Sequence, residues 1–171
     1  MSLLCFILAG GKSTRMGHDK ALIHDSVNTL SRKLEKKGCR VVVACGSKER
    51  AHLFNSNCWP DPVGTESLAD TIRLFVEEKQ EQIQLFPCDM YRLDDFALDI
   101  ILGQPAGVPV DAQKIEQFTL ARIPVQCQLP KSKSLHQLFS NFHRNDMRIL
   151  GDRIENFNSQ DQIDALNKSN Q

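Results

Sequence analysis

The stretch that decides the fold of this chain reads Leu8-Ala9-Gly10-Gly11-Lys12-Ser13-Thr14-Arg15-Met16-Gly17-His18-Asp19-Lys20. It follows directly on an apolar run, residues 3–8, whose composition is typical of a strand buried on both faces. Gly10 and Gly11 can take positive φ and let the backbone approach a ligand closely. Consecutive backbone N–H groups in such a turn form a concavity that binds anions. Arg15 adds a bidentate fork for phosphate and Lys20 a mobile positive charge, so the pattern predicts a cradle for a nucleoside triphosphate.

Two other glycine-rich motifs are excluded by their spacing. Gly11-Lys12-Ser13 resembles the end of a P-loop, but that motif needs a glycine five residues before Gly11, where Phe6 stands. The dinucleotide-binding spacing G-x-G-x-x-G is absent as well. A turn that is merely punctuated by two glycines is the simplest alternative. It does not account for Arg15, Asp19 and Lys20 at these spacings.

The composition is typical of a globular protein, for which we expect neither a nucleic-acid nor a membrane partner. With 171 residues and 41% hydrophobic content, the chain is expected to form one domain, residues 1–171. Its 21 basic and 21 acidic side chains balance, so a basic face for nucleic acid is not expected. No apolar stretch approaches the roughly 18 residues that cross a membrane, and no signal-type segment is evident, so we expect a cytoplasmic protein. The six scattered cysteines lack a C-x-x-C pair and are expected to be free thiols, and the histidines show no zinc spacing.

Strand and helix signals alternate along the chain, which predicts an α/β fold with a mostly parallel central sheet between helices. The predicted strands are residues 3–8, 40–45 and 83–86, with shorter ones near 107–110 and 118–122. Predicted helices begin at Ser26, which can cap the helix that Gly38 ends, and at Ser67. Further helices are predicted at residues 48–54, 93–102 and 135–142 and from Ser159. The apolar stripes in residues 68–76 and 93–101 are expected to be core.

A carboxylate at the end of a second strand completes the predicted site. Ligands of open α/β sheets lie beyond the carboxyl ends of the strands, where Gly10, Gly11 and Asp89 all fall. An aspartate there can hold Mg²⁺ together with phosphate oxygens, and its pairing with the glycine cradle favours that role over a turn aspartate. Asn156 and Asn158 alternate in extended chain and point the same way. For them the sequence by itself slightly favours a turn before a helix cap.

These residues match a known family. The segment from Leu8 to Lys20 resembles the signature of the molybdenum cofactor guanylyltransferases, the bacterial MobA proteins. Pro87-Cys88-Asp89-Met90 is similar to the family's metal-binding segment. Asn156-Phe157-Asn158-Ser159 is similar to its asparagine-x-asparagine-threonine motif before the last helix. The resemblance anchors both ends of the chain and its middle.

The resemblance implies a three-layer, Rossmann-like nucleotidyltransferase fold. It implies transfer of GMP from Mg-GTP to the terminal phosphate of the molybdopterin cofactor, with release of pyrophosphate, and contacts with molybdenum-insertion proteins and molybdoenzyme chaperones. By this resemblance Arg15, Lys20 and Asp89 are catalytic, and Asp89 binds Mg²⁺. Asn156 and Asn158 lie on the acceptor side. The implied nucleotide-binding residues are Leu8, Ala9, Gly10, Gly11, Arg15, Lys20, Asp61 and Asp89.

Departures from the family pattern leave two alternatives open. Where the family has a Gly-Pro-Leu-x-Gly loop, this chain has Gly64-Thr65-Glu66-Ser67-Leu68, which is closer to the related cytidylyltransferases. Tyr91 replaces the proline that commonly follows Asp-Met, and no His-Pro pair stands near residues 116–120. The alternatives are therefore a transferase that uses CTP or another phosphorylated acceptor, and a homologue that binds nucleotide without turnover.

Overall fold

The computed structural model describes residues 2–10 and 20–155, and within these ranges the chain alternates between strands and helices. The strands are β1 (Leu4–Leu8), β2 (Arg40–Gly46), β3 (Asn57–Pro60), β4 (Ile83–Pro87), β5 (Val108–Val110), β6 (Arg122–Ile123) and β7 (Arg144–Asp146). The α-helices are α1 (Ser26–Lys36), α2 (Leu68–Lys79), α3 (Asp95–Leu102) and α4 (Leu135–Leu138). Short 3₁₀ segments cover Lys20–Asp25, Lys48–Leu53, Phe118–Leu120 and Arg148–Ile154. The predicted helix from Ser159 lies outside the described residues.

A five-stranded sheet in the order β3-β2-β1-β4-β6 forms the centre of the fold. The first four strands in this order are parallel, and β6 pairs with β4 in the antiparallel direction. After β3 the chain crosses to the other side of β1 to form β4, so the strand order reverses between β1 and β4. In open α/β sheets this switch point opens a crevice at the carboxyl ends of the strands, where ligands bind. The predicted mostly parallel sheet is confirmed.

Helices cover both faces of the sheet, which explains why every residue of β1 is buried. Cys5 and Ile7 pack on one face, in a hydrophobic cluster with residues of α1 and α3. Leu4, Phe6 and Leu8 pack on the other face with residues of α2 and α4. On that second face the rings of Phe6 and Phe75 stack with their centroids 3.6 Å apart. The predicted arrangement of a sheet between two helical layers is confirmed.

The predicted cap of α2 is present, whereas that of α1 is wrong. Ser67 precedes α2 and its Oγ accepts a hydrogen bond from the Asp70 backbone N–H at 3.2 Å. Before α1 the N-cap is Asp25, which has left-handed backbone dihedrals (φ 52°), and Ser26 is already helical. The Ser26 hydroxyl donates instead to the backbone oxygens of Ala21 (3.3 Å) and Cys88 (3.2 Å). The hydroxyl therefore ties the start of α1 to the chain just beyond β4.

Two apolar residues that were expected in the core are exposed. Leu68, the first residue of α2, is 42% exposed, and Phe96 is 45% exposed. The ring of Phe96 lies 5.0 Å from the guanidinium carbon of Arg153, a cation–π contact. Periodicity indicates which residues share a helix face, but it does not show how far that face is covered.

The region after α3 departs most from the prediction. Residues 118–122 are mainly a 3₁₀ turn, since the Leu120 N–H donates to the Gln117 oxygen, and only a two-residue strand follows. The predicted helix over 135–142 is the single turn α4, and the predicted helix over 48–54 is a 3₁₀ segment. The unpredicted strand β7, Arg-Asn-Asp, pairs in parallel with β5 in a separate two-stranded sheet. No described helix is long and apolar enough to span a membrane.

All six cysteines are free thiols, as predicted. Cys5 lies in β1, and Cys39, which comes just before β2, packs against the same hydrophobic cluster. Because the Cys5 thiol donates a hydrogen bond to the Cys39 sulfur, the pKa of Cys39 falls from its usual value to about 7, and the nearby Arg122 adds to this effect. Burial raises the pKa of the Cys58 thiol to about 11. The half-buried Cys39 is therefore the more nucleophilic of these two thiols at neutral pH.

We expect iodoacetamide to alkylate Cys39 with a half-maximal rate near pH 7, because its thiolate is stabilised in the folded protein. Peptide mass spectrometry after short pulses at a series of pH values measures the profile. In the Cys5→Ala variant the profile should move up toward an ordinary thiol, about pH 8.5. An identical profile in this variant, or faster alkylation of Cys58 than of Cys39, would contradict the thiol contact.

Candidate active site

The strand register brings four chain segments together at one edge of the sheet. Leu8, the last residue of β1, pairs with Ala44 in β2 and with Pro87 in β4. Gly10 and Asp89, each two residues beyond its strand, and Gly46, the last residue of β2, therefore lie at the same edge. Asp61 joins them from β3, because its backbone N–H donates to the Gly46 oxygen at 2.8 Å. Of the predicted residues, Gly10, Asp61 and Asp89 thus lie at the carboxyl edge of the sheet, with Gly10 and Asp89 on either side of the switch point.

The remaining predicted residues are of two kinds. Leu8 and Ala9 have buried side chains, and Ala9 is fully buried, so at these positions only the backbone can meet a nucleotide. The others lie outside what the structure describes, and their roles stay predictions: Gly11, Arg15, the side chain of Lys20, Asn156 and Asn158.

Gly46 is a component of the edge that the sequence did not indicate. Its φ is +80°, and a Cβ built on it would lie 2.6 Å from the Gly10 oxygen. A Cβ on Gly10 would in turn lie 3.1 Å from the Gly46 Cα. The backbones of β1 and β2 therefore touch where the glycine-rich turn begins, which only glycine permits at Gly46. The signal available in the sequence is a glycine directly after a buried strand.

The carboxylate of Asp61 is held by a buried hydroxyl. Thr71 Oγ1, on the first turn of α2, donates to Asp61 Oδ1 at 3.0 Å. In the loop between them, Gly64 has a φ of +89°, and the Thr65 hydroxyl donates to the Pro62 oxygen at 2.7 Å. The loop thus presents one oriented acceptor carboxylate beside the glycine contact.

Asp89 provides the carboxylate at the end of β4. It is half-buried, two residues beyond the strand, and the Ser26 hydroxyl bonds the oxygen of the preceding Cys88. Mg²⁺ typically takes one or two carboxylates and completes its octahedron with phosphate oxygens and water. The described residues contain no group of three or more His, Cys, Asp or Glu side chains that could hold a metal ion. A single carboxylate fits an ion that is shared with a nucleotide better than an ion held by the protein alone.

Gly10 and Asp89 stand beyond adjacent parallel strand ends, at the place where open α/β sheets bind their ligands. Residues 5–122 match the model of the MobA-like NTP transferase domain. The chain belongs to this family and is a nucleotidyltransferase. Comparison with curated proteins found no match.

Solved structures show the same fold. The chain is similar to molybdopterin-guanine dinucleotide biosynthesis protein A of Archaeoglobus fulgidus, with a TM-score of 0.71, 12% identity and 97% of each chain covered. It is also similar to a protein of Aquifex aeolicus VF5, with a TM-score of 0.68, 16% identity and coverage of 93% of this chain and 95% of that one. At these identities the likeness concerns the fold.

We expect Gly46→Ala to weaken triphosphate binding by about tenfold or more, because the new Cβ would push Gly10 away from β2. Gly38→Ala is the matched control: Gly38 also has a left-handed φ (+87°), but nothing lies within 4 Å of its Cβ position. Both variants carry the left-handed backbone penalty of roughly 1–2 kcal/mol. Calorimetric titration with GTP and thermal unfolding separate the two effects. Equal GTP affinity in the two variants would show that the glycine contact does not support the nucleotide.

Proposed function

We propose that this nucleotidyltransferase transfers GMP from GTP to the terminal phosphate of the molybdopterin cofactor and releases pyrophosphate. The observation that carries the proposal is the placement of Gly10 and Asp89 just beyond the paired ends of β1 and β4, at the switch point. The signature of residues 8–20 supports the proposal, because this segment begins at the end of β1. The family membership supports it further. Contacts with molybdenum-insertion proteins and chaperones, and the cytoplasmic location, stay predictions.

The reaction needs alignment more than acid–base chemistry. An oxygen of the acceptor phosphate attacks the α-phosphorus of GTP, the bond from that phosphorus to the bridging oxygen breaks, and pyrophosphate leaves. The acceptor is already an anion, so no general base has to remove a proton. The main barriers are the approach of two anions and the charge on the leaving group, which positioned cations and N–H donors lower.

Each described residue has a part in this alignment. We propose that the backbone of residues 8–10 receives the nucleotide, because the Leu8 and Ala9 side chains are turned into the core. Nucleotidyltransferases of this family generally use a divalent metal ion, and Asp89 would hold Mg²⁺ here. When bound, the ion neutralises phosphate oxygens. Arg15 and Lys20 would add positive charge from the glycine-rich segment, with Asn156 and Asn158 on the acceptor side.

Asp61 supports guanine as the base. Guanine presents two adjacent donors, N1–H and the N2 amino group, whereas cytosine presents one amino donor beside acceptors. A carboxylate has about four lone-pair sites, so Asp61 can accept a pair of guanine hydrogen bonds while Oδ1 also accepts from Thr71. The Gly64-Thr65-Glu66-Ser67-Leu68 segment favours the cytidylyl alternative, and the nucleotide tested decides between the two.

Pyrophosphate release in the presence of Mg²⁺, molybdopterin cofactor and either GTP or CTP tests the proposal. We expect release with GTP, and a loss of about 100-fold or more in Asp89→Asn, because a carboxylate ligand becomes a neutral amide. The matched control is Asp99→Asn, an exposed carboxylate on α3 that pairs with Lys37 at 2.7 Å. Release with CTP alone would assign the cytidylyl activity. Triphosphate binding without release would point to another acceptor or to a non-catalytic homologue.

We expect Thr71→Val to lower GTP affinity by about tenfold and to leave CTP affinity unchanged, because Asp61 loses the hydroxyl that orients it. Thr65→Val is the control, since it removes a hydroxyl from the same loop that bonds only the Pro62 oxygen among the hydrogen bonds described for it. Parallel titrations with GTP and CTP provide the comparison. Equal losses for the two nucleotides would refute a role of this pair in base selection.

A further inference from the structure

The side chain of Arg50 links the ends of β1 and β2. It lies in the 3₁₀ segment after β2 and is only 7% exposed. Its Nη1 donates to the backbone oxygen of Ala9 and, at 2.6 Å, to that of Cys45. These are the residues directly before Gly10 and Gly46. One guanidinium nitrogen therefore links the two strands at the point where their backbones touch.

The packing around Arg50 fixes this link. The Phe54 ring lies 5.7 Å from the guanidinium carbon, and Phe54 is itself buried. The Ala9 N–H donates to the Ala44 oxygen at 3.0 Å, so the last rung of the β1–β2 ladder lies next to the Arg50 contact. A planar guanidinium with several donors suits this position, because it can meet two carbonyls without changing its own geometry.

We propose that Arg50 is a positioning residue for the triphosphate. By holding the Ala9 and Cys45 carbonyls it sets the backbone from which the glycine-rich turn starts, and it brings a buried positive charge within one residue of that turn. Charge inside a protein acts on a nearby anion more strongly than charge in water. The effect should therefore grow with the number of phosphates on the nucleotide. This inference rests on the nucleotide site proposed above.

Arg122 offers a control of the same kind elsewhere in the fold. It is 5% exposed, and its Nη2 donates to the Leu102 oxygen at 2.7 Å. Its Nε donates to Gln84 Oε1 at 3.0 Å, and Gln84 pairs with Cys5 near the opposite end of β1 from Gly10. Removal of this guanidinium should disturb a buried set of carbonyls without touching the turn.

The experiment compares Arg50→Met with Arg122→Met. Thermal unfolding reports the stability of each variant, and calorimetry with Mg²⁺ measures the affinity for GTP, GDP and GMP. We expect both variants to be destabilised. Arg50→Met should lose GTP affinity by about tenfold or more, less for GDP and little for GMP, while Arg122→Met stays within about twofold for all three. Arg50→Lys, which keeps the charge and loses the planar fork, should recover part of the GTP affinity, and it replaces Arg50→Met if that variant does not fold.

Two results would overturn the inference. One is a loss in Arg50→Met that is the same for GTP, GDP and GMP, because a general loss of structure would produce it. The other is an equal loss of GTP affinity in Arg122→Met. The guanylyl-transfer proposal fails separately, if wild-type protein binds GTP but releases no pyrophosphate. A wild-type protein that binds no triphosphate would overturn both.

Discussion

The rest of this structure depends on the parallel pairing of β1 with a strand on each side. Because Leu8 pairs with both Ala44 and Pro87, three strands end at nearly the same level. Parallel strands also need helical crossovers, and these crossovers cover both faces and bury β1 completely. The same pairing therefore forms the core and leaves the backbone groups beyond Leu8 at one edge. The candidate site lies where the backbone hydrogen bonds between these strands end.

Close backbone packing and the placement of charged groups determine what this edge of the sheet can bind. Two backbones touch at Gly10 and Gly46, which brings peptide groups close together but leaves no room for side chains between them. The carboxylates of Asp61 and Asp89 lie on the flanks: Thr71 orients Asp61, and Asp89 stands two residues beyond β4. This edge of the sheet thus combines carboxylate acceptors at its sides with a glycine backbone between them.

The sequence was sufficient to predict structural features that depend on residues close together along the chain. The apolar composition of residues 3–8 and 83–86 identified β1 and β4, and the capping of α2 by Ser67 followed from residues three apart. It failed where the deciding partner is distant. Ser26 gives its hydroxyl to Cys88, 62 residues away, and β7 is a polar strand that exists because β5 lies beside it. Gly46 shows the same limit, since its importance comes from Gly10 and not from its own surroundings.

The same distinction between local and distant partners applies to the site residues. Asp89 was recognisable because it stands just beyond a buried strand, so its place at the sheet edge could be inferred. Thr71 was not, because its role depends on the path of the loop from Asp61, which composition does not determine.

The burial of the Leu8 and Ala9 side chains has a consequence for how this kind of protein diverges. A surface made of main-chain atoms places few demands on residue identity, provided that glycine is kept where backbones touch. Side chains around it can drift while the shape that meets the nucleotide persists. The fold similarity among such proteins therefore persists after their sequence identity has fallen too low to reveal their common origin.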